Sequence, residues 1–424
     1  MTLHRLAFYE PGHFHAALTL RDANPKLAND LHLYATAGPE RDAFTDLVEH
    51  FNRRPAQPTQ WRLHIHDGPN LQARLIADGH ADAVILAGQN HHKLETIDRF
   101  TQAGLHVLAD KPWLTDSRQL PFLDRVTTGP QLAMDIMTVR HSIMARLCHQ
   151  VVNTPALFGG FDTNADPAID IGSVHHLYKR VNGRPLRRPP WYYDIRIQGD
   201  GLVDVQSHMV EQAQWWVLGD AVGDFASDVI LDHARRWTTP VPPDLFQDST
   251  GLDAYPESIR QSVQDGALLY ACNGEIRYRL RDIRVRQMTD WRAREPEGGG
   301  DLHSLTLRGR QINVIVRQGP DTGYRVELHL EPVAGADVET GLHSAIGQWQ
   351  DRFPGLSVAP SDLGFRFVIP PGLDHRHEGH FPLVLNTFLT YLDRGQWPES
   401  LQARIRLRYT LLARALALAL DGEE

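Results

Sequence analysis

The chain has 424 residues, of which 42% are apolar and 22% are charged, and its formal net charge is −9. This length exceeds that of one ordinary hydrophobic core, so two domains are expected. The acidic balance leaves no basic excess to neutralise phosphates, which argues against a nucleic-acid-binding protein. Cys148 and Cys272 form neither a disulfide framework nor a zinc spacing, and no apolar stretch approaches a membrane span. A cytoplasmic location is therefore predicted.

The first third of the chain alternates between strand and helix patterns. Apolar runs predict strands at 3–9, 31–38, 61–68, 81–88 and 106–109, and helical spacing is present at 41–54, 70–79 and 93–104. This alternation predicts a parallel sheet with right-handed crossovers, whose ligands bind at the carboxyl ends of the strands. We assign residues 1–125 to an α/β domain of the dinucleotide-binding, or Rossmann, type.

The turn after the first strand departs from the dinucleotide-binding pattern G-x-G-x-x-G. The corresponding run, EPGHFHA at 10–16, keeps only Gly12. A plain strand-to-helix turn therefore remains an alternative at this stage. An acid that would hold the adenosine ribose is expected at the end of the second strand, but Thr36 to Pro39 lie there and Glu40 is the nearest acid. These residues leave the choice between NAD and NADP open.

The pattern changes after Pro121. Residues 202–220 predict a helix, which would place Asp204 and His208 on one face at spacing i, i+4. The pair is either a surface contact or a carboxylate beside an imidazole that acts as a general base. Runs at 274–287, 302–318 and 323–333 predict antiparallel strands, with an exposed hairpin loop at 291–301. We assign 126–395 to an α+β domain with a large, mostly antiparallel sheet, and 396–424 to a C-terminal helix.

A histidine-rich segment precedes the penultimate helix pattern. HEGH at 377–380 is one residue shorter than the zinc-protease motif H-E-x-x-H. His375, His377 and His380 fit a helix-start loop that faces a site, with metal binding as the alternative. No metal site is predicted.

Three segments together carry a family resemblance: GHFHAAL, AGQNHHKLETIDRFTQAGLHVLADKP and GDGLVDVQSHMVEQAQWWVLG. They resemble the Gfo/Idh/MocA oxidoreductases, which include sugar- and inositol-type dehydrogenases. Members carry N-x-H after the fourth strand, E-K-P after the fifth and D-x-x-x-H on a helix. The matching positions here are Asn90 and His92, then Asp110 to Pro112, then Asp204 and His208.

The resemblance covers about the first 220 residues in order and spacing, and the C-terminal half in outline. The segment VHHLYKRVNGRPLRRPPWYYD is similar to a subgroup of oxidoreductases with a distinct C-terminal domain. Asp110 replaces the usual Glu, and the incomplete glycine pattern leaves the pyrophosphate geometry open.

The resemblance implies a nicotinamide cofactor, NAD or NADP with NAD favoured. The implied cofactor-binding residues are Glu10, Gly12, His13, Phe14, His15, Gly88, Asn90, His92, Asp110, Lys111 and Pro112. It also implies three catalytic residues. Lys111 would stabilise alkoxide-like charge, His208 would accept the hydroxyl proton, and Asp204 would orient the substrate or tune His208.

The aromatic and arginine-rich stretch from His175 to Asp194 is a candidate wall of the substrate pocket, with a subunit-interface arm as the alternative. The predicted substrate-binding residues are His175, His176, Lys179, Arg184, Trp191, Tyr192, Asp204 and His208. Its arginines could bind an anionic group of the substrate.

The expected function is hydride transfer between NAD(P) and a secondary hydroxyl of a sugar, polyol or glycoside. One alternative is an NAD-dependent glycoside hydrolase that works by transient oxidation, elimination and re-reduction. Another is a non-catalytic sensor of nucleotide or sugar. A small carbohydrate is the expected partner, with neither nucleic acid nor membrane. The resemblance further implies a homo-oligomer, dimer or tetramer, formed through the open face of the C-terminal sheet.

Overall fold

The structure, a computed structural model, describes residues 3–181 and 184–422, without the side chains of Val181 and Arg184. The chain falls into two compact units. One comprises Met1–Ser142 with His375–Tyr409, and the other Ile143–Asp374 with Thr410–Glu424. These compact units have different bounds from the predicted domains at 1–125, 126–395 and 396–424, whose extents stay a prediction.

The first unit is built on strands and helices that alternate along the chain. These are β1 (Leu6–Tyr9), α1 (His15–Leu18), β2 (Asp30–Tyr34), α2 (Pro39–Arg53), β3 (Arg62–His66), α3 (Leu71–Asp78), β4 (Ala83–Leu86), α4 (Lys93–Gln102), β5 (His106–Asp110), α5 (Leu120–Thr128) and β6 (Ala133–Ile136). The described strands form a parallel six-stranded sheet in the order β3-β2-β1-β4-β5-β6. The predicted Rossmann-type sheet is confirmed, with the reversal of strand order between β1 and β4.

Local sequence explains these elements. All four residues of β4 are buried, as a central parallel strand requires. Helix α2 has a proline in its first turn, where a missing backbone N–H costs nothing, and buries Phe44, Val48 and Phe51 on one face.

The second unit contains the large sheet. Its elements are α6 (Ile143–Val152), α7 (Pro155–Phe158), β7 (Ile169–Tyr178), β8 (Arg180–Val181), β9 (Arg184–Pro185), α8 (Ile195–Gln198), α9 (Gln206–Leu218), α10 (Phe225–Asp228), β10 (Val229–Val241), α11 (Pro243–Thr250), β11 (Val263–Gln264), β12 (Ala267–Leu280), β13 (Ile283–Arg294), β14 (Leu302–Arg308), β15 (Ile312–Arg317), β16 (Glu327–Pro332), α12 (Glu339–Trp349), β17 (Ser357–Ser361) and β18 (Gly364–Val368). In the described residues its main path is β10-β12-β13-β7-β14-β15-β16-β18-β17, with β11 paired to β12. The pairing of β13 with β7 is parallel and the neighbouring pairs β12–β13 and β7–β14 are antiparallel, so the mostly antiparallel sheet is confirmed.

The predicted hairpin loop at 291–301 is wrong in two respects. Strand β13 continues to Arg294, and Trp291 within it is buried. The Trp291 N–H donates to Asn273 Oδ1 at 2.5 Å, which ties this end of β13 to β12. Strand β7 then lies between β13 and β14, so the connection crosses over a strand. Alternation within each strand could not reveal which strands are neighbours.

Two helices close the chain, α13 (His380–Arg394) and α14 (Glu399–Asp421). Helix α13 and the first part of α14 belong to the first unit, and the remainder of α14 belongs to the second. Over the residues that the structure describes, none of the helices combines the length and apolarity needed to cross a membrane.

Candidate cofactor and active site

The turn after β1 lies tightly against the end of β4. The backbone N–H groups of Gly12 and His13 both donate to Ala87 O, at 3.0 and 2.8 Å. A Cβ on Gly88 would lie 2.3 Å from the carbonyl oxygen of Glu10, so only glycine permits this approach. Two N–H groups of the turn are therefore bonded within the protein.

Glu10 carries a carboxylate to the end of the neighbouring strand. Its backbone φ is 42°, in the left-handed region that few non-glycine residues adopt. Its carboxylate accepts hydrogen bonds from the Thr36 hydroxyl at 2.8 Å and the Thr36 N–H at 3.3 Å. Thr36 follows β2, where an acid is expected and the sequence has none. The acid expected at the end of β2 is therefore present, but it is Glu10, which follows β1.

Asp110 is the last residue of β5, and its carboxylate is the electrostatic centre of this edge. Its Oδ1 accepts the Lys111 N–H at 3.0 Å, and its Oδ2 lies 2.9 Å from His15 Nδ1 and 3.5 Å from His13 Nδ1. Burial alone would raise the pKa of Asp110, but the imidazoles of His15 and His13 outweigh it and hold that pKa well below its ordinary value. Asp110 is therefore an anion at neutral pH.

The turn presents three aromatic rings in succession. Burial lowers the pKa of His15 to about 3, so its imidazole is neutral at physiological pH. Its ring packs against Phe381 of α13 at 4.4 Å between centroids. Phe14 is 48% exposed and lies between His13 and His15 in the chain, with centroid distances of 4.4 and 4.7 Å. An exposed aromatic ring at a strand end is suited to contact a ligand.

Lys93 joins the site although it was not predicted to. Its side chain is buried, and Nζ donates to Asn90 Oδ1 and, at 2.9 Å, to the carbonyl oxygen of Asp110. It thereby ties the loop after β4 to the end of β5. The sequence held a signal, because Lys93, Ile97 and Phe100 share the buried face of α4.

The segments that follow β4 and β5 position further predicted residues. His92 precedes α4 and its ring lies 4.1 Å from that of His91. The Lys111–Pro112 peptide bond is cis. Trp113 follows it and is buried, and its Nε1–H donates to Ala109 O at 3.2 Å, which anchors the chain just beyond Lys111.

His377 also belongs to this part of the first unit. Its ring lies 6.1 Å from that of His15. Burial is the main cause that lowers the pKa of His377, and the positive charge of Lys111 is the second. His380, at the start of α13, is buried, with its ring 6.3 Å from that of His141. His377 lies just before α13 and His380 begins it, and the expectation that this segment faces a site stays a prediction.

Asp204 and His208 lie in the second unit, and the predicted helix at 202–220 is shorter than expected. Helix α9 begins at Gln206, so Asp204 is in the preceding turns and His208 in the first helical turn. The buried Asp200 accepts the Leu202 N–H at 2.8 Å and pairs with Arg236.

The turns before the helix pack closely against β12, because a Cβ on Gly201 would lie 2.4 Å from the backbone of Cys272. Asp204 Oδ2 there accepts a hydrogen bond from Gln198 Nε2 at 3.0 Å.

Three predicted substrate-binding residues converge on one carboxylate. Lys179 Nζ and His175 Nδ1 lie 2.5 and 3.1 Å from Asp301 Oδ2, and His176 Nδ1 lies 3.6 Å from Oδ1. These contacts lower the pKa of Asp301 although burial would raise it. Asp301, which sequence reasoning missed, immediately follows a run of three glycines and ties it to β7.

The aromatic residues of the stretch from His175 to Asp194 lie in or against a hydrophobic core cluster of the second unit. Tyr192 is buried in a core cluster, and Trp191 packs against it. The guanidinium of Arg188 lies 4.4 Å from the ring of Tyr192 and 5.2 Å from that of Trp291. These rings stabilise the second unit, and their role toward a substrate stays a prediction. The side chain of Arg184 is outside the described residues.

Comparison with known proteins gives one family match and several structural matches. Residues 147–420 match the family model "Putative oxidoreductase C terminal domain". A solved putative oxidoreductase from Parabacteroides merdae is 33% identical over 99% of this chain and 98% of that chain, with a TM-score of 0.95. No curated protein matches the chain.

Two more distant structures are similar in fold. A levoglucosan dehydrogenase, in complex with NADH and levoglucosan, is 14% identical, with coverage of 100% of this chain and 98% of that chain and a TM-score of 0.61. KijD10, a 3-ketoreductase from Actinomadura kijaniata in complex with NADP and TDP-benzene, is 14% identical, with coverage of 99% and 98% and a TM-score of 0.56. The family match spans well over half of the chain, so this protein belongs to the oxidoreductase family that the C-terminal domain defines.

Proposed function

We propose that this protein is an NAD(P)-dependent oxidoreductase that transfers hydride between the cofactor and a secondary hydroxyl of a sugar, polyol or glycoside. The observation that carries the proposal is the carboxyl edge of the parallel sheet. There Glu10 and Asn90 come after β1 and β4, and Asp110 ends β5, around the reversal of strand order where dinucleotides bind. Distant fold relatives of this protein include structures with NADH or NADP bound.

The residues of this edge fit a dinucleotide. Gly88 permits the close turn, the Glu10 carboxylate beside Thr36 can accept hydrogen bonds from ribose hydroxyls, and Phe14 offers an exposed ring. Lys93 is a positioning residue, because it fixes the Asn90 side chain relative to the end of β5. A bound nicotinamide would supply the hydride acceptor or donor.

The roles of the catalytic residues follow from charge and proton balance. When an alcohol is oxidised, the His208 imidazole accepts the hydroxyl proton and the Lys111 ammonium stabilises the negative charge on the oxygen. Asp204 orients the substrate or tunes His208. Each of these roles can be tested separately by substitution.

NAD is the favoured cofactor because of Glu10. The 2′-phosphate of NADP would approach a carboxylate at the end of β2 and be repelled by it. The same carboxylate can accept a hydrogen bond from the free 2′-hydroxyl of NAD.

The test is calorimetric titration of the nucleotide-stripped protein with NAD and with NADP, for the wild type and Glu10→Gln. The amide keeps an acceptor for Thr36 and removes the charge. We expect the wild type to prefer NAD, and Glu10→Gln to reduce that preference by about tenfold or more. Binding of neither nucleotide would reject the proposed function, whereas a preference for NADP in the wild type would reject only the selectivity argument.

A further inference from the structure

Three potential metal ligands meet at the turn after β1. One imidazole nitrogen each of His13 and His15 and a carboxylate oxygen of Asp110 all lie within 4.8 Å of one another. The Nδ1 atoms of the two imidazoles are 3.5 and 2.9 Å from the same oxygen, Asp110 Oδ2. A tetrahedral ion with bonds of about 2.0–2.1 Å holds its ligand atoms about 3.3 Å apart. The two distances to Asp110 Oδ2 are close to this spacing.

The cluster is only partly satisfied by its own hydrogen bonds. Asp110 uses Oδ1 for the Lys111 N–H, so Oδ2 is the oxygen that faces both imidazoles. His13 Nδ1 is a buried atom that makes no hydrogen bond within the described residues. A buried polar atom without a partner is unfavourable, and a ligand at that nitrogen would offset this cost.

The chemistry and the exposure of the three side chains suit a metal. Imidazole nitrogens and a carboxylate oxygen are common ligands of transition-metal ions. The ring of His15 is held by Phe381, whereas the His13 side chain is 36% exposed and leaves the cluster accessible from solvent. The ring of His377 lies 6.1 Å from that of His15, so a further imidazole is near.

We propose that His13, His15 and Asp110 bind one divalent transition-metal ion of the zinc class. Two imidazoles and one carboxylate suit such ions rather than Mg²⁺ or Ca²⁺, which prefer sets of oxygen ligands. Three protein ligands leave at least one coordination position for an exchangeable molecule. This site goes beyond the proposed function, since it requires neither a nucleotide nor a substrate.

The experiment measures metal binding alone. Full-length protein, freed of nucleotide and of metal with a chelator, is dialysed against limiting ZnCl₂, and bound zinc is determined by elemental mass spectrometry. Loading with Co²⁺ gives an independent reading, because a four-coordinate Co²⁺ site absorbs visible light. We expect one ion per chain. His13→Ala and Asp110→Asn should each weaken binding by about tenfold or more.

The matched control is His64→Ala. His64 lies on β3, and its ring stacks on that of His32 at 5.1 Å, so this variant also loses a clustered histidine of the first unit. It should bind zinc like the wild type. Asp110→Asn keeps the shape of the side chain and one acceptor oxygen for the Lys111 N–H, so it separates loss of a ligand from loss of the fold. Zinc-free wild-type protein, or binding that survives both site variants, would overturn the proposal, as would loss of zinc in His64→Ala alone.

Discussion

Two lysines near the end of β5 have different surroundings. Lys93 is buried and donates to Asn90 and to the Asp110 carbonyl, so its charge is used inside the protein. Lys111 is partly exposed just beyond the strand. Sequence reasoning selected Lys111 from its motif and overlooked Lys93, because the buried face of α4 does not reveal which groups a lysine on it contacts.

The catalytic roles predict two separable losses of turnover. Lys111→Met should lower kcat by about a hundred-fold to a thousand-fold, because charge on the substrate oxygen is no longer stabilised. His208→Ala should lower it by about 10²–10⁴, because the proton acceptor is lost. NADH formation with a panel of sugars and glycosides measures both.

Lys26→Met is the matched control, since Lys26 pairs with Asp393 at 3.0 Å outside the site. Its turnover should equal that of the wild type. Near-normal rates in both catalytic variants would contradict the mechanism. Release of an aglycone without NADH accumulation would favour the glycoside hydrolase, and NAD binding without any turnover would favour the sensor.

Between elements, one buried ion pair fastens the last helix to the first sheet. Arg408 of α14 and Asp135 of β6 form an ion pair with side chains only 1% and 5% exposed. The next residue, Tyr409, stacks on Trp113 at 5.4 Å. From the sequence, the last helix was predicted to be a separate terminal segment. The pairing of Arg408 with Asp135 spans more than 270 residues, so it leaves no local pattern.

Removing one partner of this pair should destabilise the protein strongly. Arg408→Met leaves Asp135 as a buried charge without this guanidinium, at a cost of roughly 3–5 kcal/mol in the free energy of unfolding. Urea unfolding followed by circular dichroism measures it. Replacing both residues, with Asp135→Leu and Arg408→Met together, should recover most of the loss. Arg414→Met, at an exposed position of the same helix, should change little. An equal loss in the single and double variants would show that the charge of Asp135 is not the cause.

For the whole molecule, the open face of the large sheet is rich in arginine. Glu275 on this face accepts hydrogen bonds from Arg235, Arg277 and Arg286, and these lower its pKa to about 2 although burial would raise it. Ile230 lies opposite Arg279 on the edge strand β10 and is 52% exposed. A second copy of the chain is the partner that the family resemblance implies for this face.

Analytical ultracentrifugation should therefore find a dimer or tetramer. Ile230→Lys should shift the protein toward the monomer while its circular dichroism spectrum stays that of the folded wild type, because a charge would be buried in the interface. Leu252→Lys, at a 40% exposed residue outside the sheet, is the control and should leave the assembly unchanged. A monomeric wild type, or equal behaviour of the two variants, would argue against an interface on this face.

The sequence by itself determined the parallel sheet, the mostly antiparallel second sheet and the position of Lys111 just after a strand. Alternation, helical spacing and short motifs are local properties, so they can be read from the sequence. Only the tertiary structure decided that Glu10 reaches Thr36, that Lys93 joins the site, that His13 and His15 face Asp110, and that β7 separates β13 from β14. Each of these depends on residues distant in the chain that packing and close approach bring together. Such contacts leave no local pattern in the sequence. Periodicity determines which face of a helix or strand a residue lies on, but not which distant residue it contacts.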